Sequence, residues 1–254
     1  VLVLALLVTA TVPGEACGQR QFAVLDEQIV REAQLVASGA RIDLYEHGVG
    51  VERALVTVAE QALARMEQLL GRKLDEATLG PRIHIYVSAS TRVSHVWRGY
   101  RHPSDPKPIV FLNPSVAGLA VSGTNATYAH ELAHLLTWRY RSHTLREGLA
   151  DYLALQLHPR AGIGPNLRGY SSPPAVPQEV NQYLGTIRAP PEAVVSDAYF
   201  RSAYYYASYR FVRYLIGRAD METFLKLYEA EDPGVEISRL YGASLQELVA
   251  AAAK

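Results

Sequence analysis

The chain has a single cysteine, Cys17, among 254 residues. An intramolecular disulfide is therefore excluded, and Cys17 lies too near the N-terminal signal described below to serve as a nucleophile. Charge bias is missing as well. Lys plus Arg number 25 and Asp plus Glu number 25. That balance gives no electrostatic footprint for nucleic acid or for an anionic membrane surface, and no nucleic-acid partner is expected. Long apolar runs are also lacking. The run at residues 1–12 is about a dozen residues long, where a membrane-spanning helix needs about 20. The sequence shows no internal repeat, no low-complexity tract and no Ser–His–Asp arrangement worth proposing.

What is present suits one large domain or two small ones, with 49% hydrophobic residues to build a core. The start, "VLVLALLVTATVPGEACGQ", fits the apolar region of a secretory signal followed by small residues. Val8-Thr9-Ala10 or Gly14-Glu15-Ala16 could precede the cut. Cys17 after Ala16 also admits acylation as a lipoprotein, although Pro13-Gly14-Glu15 lacks the apolar residue such signals carry. A piece of a longer membrane anchor is the alternative. The expectation is an exported protein (secreted, periplasmic or cell-surface), with Cys17 lipidation as its one route to a membrane. Residues 1–18 form the signal and 19–254 a single domain, with a sheet-containing part at 40–140 and a helical part at 141–254.

"RIDLYEHG" (41–48) and "RIHIYVS" (82–88) read as strands, the second with Ile83, Ile85 and Val87 on one side. Between them, Ala54, Val58, Ala62, Met66 and Leu69 recur at helical spacing within 50–73, and Gly71 stops the helix. "PIVFLNP" (108–114) is a short apolar strand with proline at both ends, which suits an edge strand. Two helices follow, at about 124–140 and 144–157. A Pro/Gly-rich connection runs from His158 to about Ala198, interrupted by the helical patch "QEVNQYL". "SAYYYASYRFVRYLIGR", "DMETFLKLYEA" and "SLQELVAAAAK" read as three C-terminal helices. The order of elements predicts an α+β fold, a small sheet packed against helices.

The stretch "TYAHELAHLLTWRY" (127–140) carries H-E-x-x-H at His130, Glu131 and His134. On an α-helix, positions i and i+4 lie about 40° apart and about 6 Å along the axis. Two imidazoles so placed can reach one ion at a zinc–nitrogen distance of about 2 Å. Glu131, about 100° round the helix from His130, can address a water on that ion without ligating it. A solvated polar face made of Thr127, His130, His134 and Thr137 would give the same pattern.

A catalytic zinc needs three protein ligands and a water. "SHTLREGLADYLA" (142–154) follows closely, and Glu147 and Asp151 share one face of it at i and i+4. Glu147 can be the third ligand. Asp151 can accept the free imidazole N–H of a zinc histidine, His130 before His134. The bland alternative is that Thr144-x-x-Glu147 is a capping box closing the helix N-terminus.

Together, "AHELAHLL" and "LREGLADYLA" resemble the gluzincin metallopeptidases, specifically the peptidase MA-like family related to thermolysin and aminopeptidase N. "RALVTVAEQALARMEQLLG" before "RIHIYVS", then "YYYASYRFVRYLIGR" and "LYGASLQEL", extend the resemblance over about residues 40 to 250. It implies a zincin-like fold, with the edge strand over the active-site helix, and one Zn2+ held by His130, His134 and Glu147. The link from His134 to Glu147 is shorter than in thermolysin or aminopeptidase N and fits the MA-like family. The G-x-M-E-N element of aminopeptidase N is absent, "VFLNP" standing about where it would be, so endo- and exopeptidase action both stay open.

In aminopeptidase-like relatives a tyrosine on a later helix steadies the oxyanion, and aligning "FVRYL" places Tyr205 there. Tyr204 and Tyr206 are one residue away, and the alternative reading is that these tyrosines pack as an aromatic patch with Tyr209. His143, next to the second helix, could approach the site but reads first as a surface histidine; His84 reads as a partly exposed sheet residue, and His95, Trp97 and His102 as loop residues near a cleft. The reading that results is a zinc metallopeptidase acting on a peptide or protein substrate. Its zinc lowers the pKa of a bound water from nearly 16 towards about 7. Glu131 takes the proton as the carbonyl carbon is attacked and passes it to the leaving amine. The rivals are an exported zincin-fold module that binds a peptide or protein with little turnover, and a metal-free helical domain with a fortuitous motif.

Overall fold

The computed structural model describes residues 24–97, 107–163, 170, 173–185 and 197–254. The expected signal at 1–18 with Cys17, and His102, lie outside the described residues. The fold is mixed α+β, with a small open sheet and a helical second half.

The sheet contains β1 (Gln34–Ser38), β2 (Ile42–His47), β3 (Ile83–Ser88), β4 (His95–Val96) and β5 (Ile109–Leu112), in the order β1-β2-β3-β5-β4. The outer pairs, β1 with β2 and β4 with β5, are antiparallel, whereas β2, β3 and β5 run parallel. Alternation along each strand divides the side chains between two layers. Leu44, Ile85, Val87, Val110 and Leu112 enter the main core. Tyr86, Ile109 and Phe111 enter a smaller cluster with Ile29 of a helix, α1, at 24–32.

β5 is not the edge strand that its prolines predict. It lies between β3 and β4, and all four of its residues are buried. The prolines are harmless because neither has to donate within the ladder. Pro108 offers its carbonyl to the His84 N–H at 2.8 Å. Pro114 opens α4 (Pro114–Val121), where a missing N–H costs nothing. The edge is β4, whose two residues are too few to show any periodicity. Among the described residues nothing pairs with its outer side.

The helix α2 (Ala54–Leu70) ends as expected at Gly71, whose φ of 64° is left-handed and suits glycine. Its buried face runs through Leu55, Ala59, Leu63, Met66 and Leu70, so Ala54 is exposed and Val58 and Leu69 are only half-buried. A short α3 (Glu76–Leu79) leads to β3. Next come α5 (Thr127–Leu136), α6 (His143–Leu157) and α7 (Gln178–Leu184). The C-terminal part holds α8 (Ala198–Arg218), α9 (Met221–Glu229), α10 (Pro233–Tyr241) and α11 (Leu245–Ala252). The sequence reading missed α10, although Asp232 caps it, Pro233 fits its first turn and Gly242 closes it in the left-handed region. Among the described residues no helix is long and apolar enough to cross a membrane.

α6 packs closely along α8, and a Cβ on Gly148 would stand 2.4 Å from the Ser208 carbonyl oxygen and 2.6 Å from Val212 Cγ2. Only a residue without a side chain permits that approach.

Candidate metal centre

All ten residues of α5 are buried. The helix is fixed at both ends. The Thr127 N–H donates to Asn125 Oδ1 at 2.8 Å, and the Tyr228 hydroxyl donates to the Thr137 carbonyl at 2.8 Å. A solvated polar face is therefore excluded: His130, Glu131 and His134 are only 5–6% exposed. Polar groups so placed need partners.

The partner comes from α6. This helix is capped by Ser142, whose hydroxyl accepts from the Leu145 N–H at 3.2 Å. Thr144 lies inside the helix, and its Oγ1 is 3.0 Å from the Tyr204 hydroxyl. The capping-box reading fails for that reason. Glu147 instead turns towards α5, with Oε2 standing 3.3 Å from His130 Nε2 and 3.5 Å from His134 Nε2. Donors bound at about 2 Å to a tetrahedral ion lie about 3.3 Å apart. Candidate ligand atoms of all three residues fall within 4.8 Å of one another, so the group could bind a metal ion.

Asp151, one turn along α6, places Oδ1 2.7 Å from His130 Nδ1. With Nδ1 donating there, Nε2 is the ring nitrogen of His130 that faces Glu147 and would be left for an ion. The Tyr170 hydroxyl donates to the other oxygen of Asp151, and its ring packs on Tyr206 and Tyr209. His134 has no such support. Its Nδ1 is buried without a hydrogen-bond partner.

The electrostatics follow from burial opposed by neighbours. Burial pushes the His134 imidazole down to about 3, which keeps it neutral, as a ligand must be. Burial would depress His130 too, but hydrogen bonds to Asp151 and Glu147 carry it well above its usual value. Burial would raise Glu147, yet the cationic Arg146 and the hydrogen bond with His130 hold it well below the carboxylate norm. For Glu131 burial wins and its pKa is raised, although the His130 charge opposes the shift. Glu131 makes no hydrogen bond or ion pair among the described residues.

The three neighbouring tyrosines separate cleanly. Tyr205 lays its ring beside His130, with centroids 6.2 Å apart and planes 28° apart. Burial lifts its hydroxyl well above the ordinary tyrosine pKa. Tyr204 points instead to Thr144 and to His143 Nδ1, the latter at 3.1 Å, and Tyr206 packs on Tyr170.

His143 is not a detached surface residue. It opens α6, and its Nε2 lies 3.6 Å from Glu147 Oε1. Arg146, which the sequence reading passed over, places Nη1 3.2 Å from the same oxygen. Adjacent helix positions point about 100° apart, so no spacing rule would bring Arg146 back onto Glu147. His95 is near enough to Glu131 to oppose the rise in its pKa, but its own ring and that of Trp97 are engaged elsewhere. They pack on Phe111 in the α1 layer, and His95 Nε2 bonds Asp26 at 3.1 Å. His84 is a half-buried strand residue, 3.6 Å from Asp43.

No protein-family model matches the chain, and no curated protein matches it.

Proposed function

We propose that the protein is a zinc-dependent metallopeptidase of zincin-like fold, similar in its site to the gluzincins. The observation that carries this reading is the convergence of His130 Nε2 and His134 Nε2 on one oxygen of Glu147. Two imidazoles and one carboxylate are a donor set that suits zinc and leaves a position open. When bound, the ion would supply Lewis acidity, making water acidic and polarising a peptide carbonyl.

The protein's own groups account for the rest. Glu131 lies next to His130 in sequence, buried and unpaired, with a raised pKa. It takes a proton from the attacking water and returns it to the leaving nitrogen, so the products are an acid and an amine. Tyr205 keeps its proton at neutral pH and donates to the oxyanion. Asp151 fixes the orientation of His130. An extended substrate backbone would pair with β4, the edge strand that packs against α5, and not with residues 109–112. The apolar run at 1–12 supports export.

The test is a broad peptide library offered to wild type and to Glu131→Gln, with zinc content measured by mass spectrometry. Zinc should be present in both, and cleavage should fall by about 100-fold or more in the variant. Zinc in both with equal background cleavage would replace the peptidase by a peptide-binding module. No zinc in either would end the metal reading.

A further inference from the structure

We infer that Arg146 is a positioning residue that restricts Glu147 to ligation through one oxygen. This rests on the metal-binding reading above and extends it to how that ligand is held.

The two oxygens of Glu147 have different surroundings. Oε2 faces both histidine Nε2 atoms. Oε1 instead meets Arg146 Nη1 at 3.2 Å and His143 Nε2 at 3.6 Å. Nothing in a carboxylate itself prefers one oxygen, and a free carboxylate can chelate through both. A second bound oxygen would fill the position that a hydrolytic site must leave for water. The guanidinium blocks this by occupying Oε1.

Arg146 is itself held in place. Its guanidinium lies over the Tyr140 ring at 4.8 Å, and its side chain is only 20% exposed. Tyr140 lies in the link between α5 and α6, so the residue that anchors the arginine belongs to the connection joining the two ligand helices. Glu147 is 4% exposed, so the pair is little screened by solvent. A fixed positive charge beside the ligand also withdraws electron density from it. Arg146 therefore makes the site bind a dication less tightly than the same three ligands would alone. A residue that merely supported the fold would have the opposite effect on affinity when removed.

That opposition of sign is the test, with Co2+ as the probe because its visible bands weaken as coordination number rises. A crystal structure of the cobalt-loaded wild type should show Glu147 bound through Oε2 alone. Arg146→Met should bind Co2+ about tenfold tighter in chelator competition, with weaker visible bands as the second oxygen enters. Arg146→Lys, which keeps the charge, should stay close to wild type. Ligation through both oxygens in wild type, or an Arg146→Met affinity that is unchanged or lower, overturns the inference alone. If Arg146→Met does not fold, the wild-type cobalt structure and Arg146→Lys still decide. A wild type that takes up neither Co2+ nor Zn2+ overturns the proposed function, and this inference with it.

Discussion

Asp151 Oδ1 lies 2.7 Å from His130 Nδ1, whereas Nδ1 of His134 is buried with no partner. The two histidines that face Glu147 are thus unequally fixed. One has its tautomer set by a carboxylate; the other is held by packing.

Asp151→Asn keeps the shape of that carboxylate but removes its charge. Metal affinity should fall by about 10- to 100-fold, measured by competition with a chromophoric chelator. An unchanged affinity would mean that packing alone orients His130.

Glu147→Ala removes the oxygen on which both imidazoles converge. Zinc should be absent from the purified variant by mass spectrometry, while circular dichroism stays near wild type. Retention of a full complement of zinc would show that the third ligand is elsewhere.

Tyr205→Phe deletes one hydroxyl beside His130 and leaves the ring in place. Loss of a single oxyanion donor costs about 100- to 1,000-fold in kcat. KM and zinc content should be unaffected. The same loss from Tyr204→Phe would reassign the role, since Tyr204 bonds Thr144 and His143.

Gly148→Ala places a methyl group 2.4 Å from the Ser208 carbonyl. Overpacking of this kind costs about 1–3 kcal/mol. Urea denaturation should show that loss, and separation of α8 from α6 should move Tyr205 away from His130. A midpoint equal to wild type would mean that the helices part without strain.

Acid stability should depend on two ion pairs remote from the site. Burial would raise Glu67, but hydrogen bonds from Arg41 and the Leu74 N–H pull it down to about 2. Hydrogen bonding from Arg82 brings Asp43 to about 2. Both carboxyls are lowered, so their stabilisation is complete above their ordinary values of 4.5 and 3.8 and is lost as pH falls towards about 2. Arg41→Met should cost about 3 kcal/mol at neutral pH and progressively less in acid. A penalty that is flat with pH would count against the pairing.

The residues of the candidate metal centre were legible because helical spacing is a local property. His130 and His134 are four apart on one helix, as are Glu147 and Asp151 on the next, and the backbone alone brings each pair to one face. What depended on distant partners was not legible. The capping box failed because Ser142, two residues earlier than Thr144, takes the cap, which frees Glu147. The edge position failed because β4 is two residues long and becomes a strand only by pairing with β5. Tyr205 could not be told from Tyr204 or Tyr206 until α8 was docked on α6 through Gly148. Arg146 escaped notice because neighbours in sequence diverge on a helix, and here the arginine folds back under the hold of Tyr140.

The donors at His130, His134 and Glu147 all come from two successive helices, α5 and α6, while the sheet and α8 contribute none. A bound ion would therefore knot only a short stretch of chain that is already folded back on itself. The helix α8 is held to α6 by packing and by the Tyr204 hydroxyl on Thr144, independently of any ion. Stripping the ion should leave an intact but inert molecule, ready to be recharged without refolding.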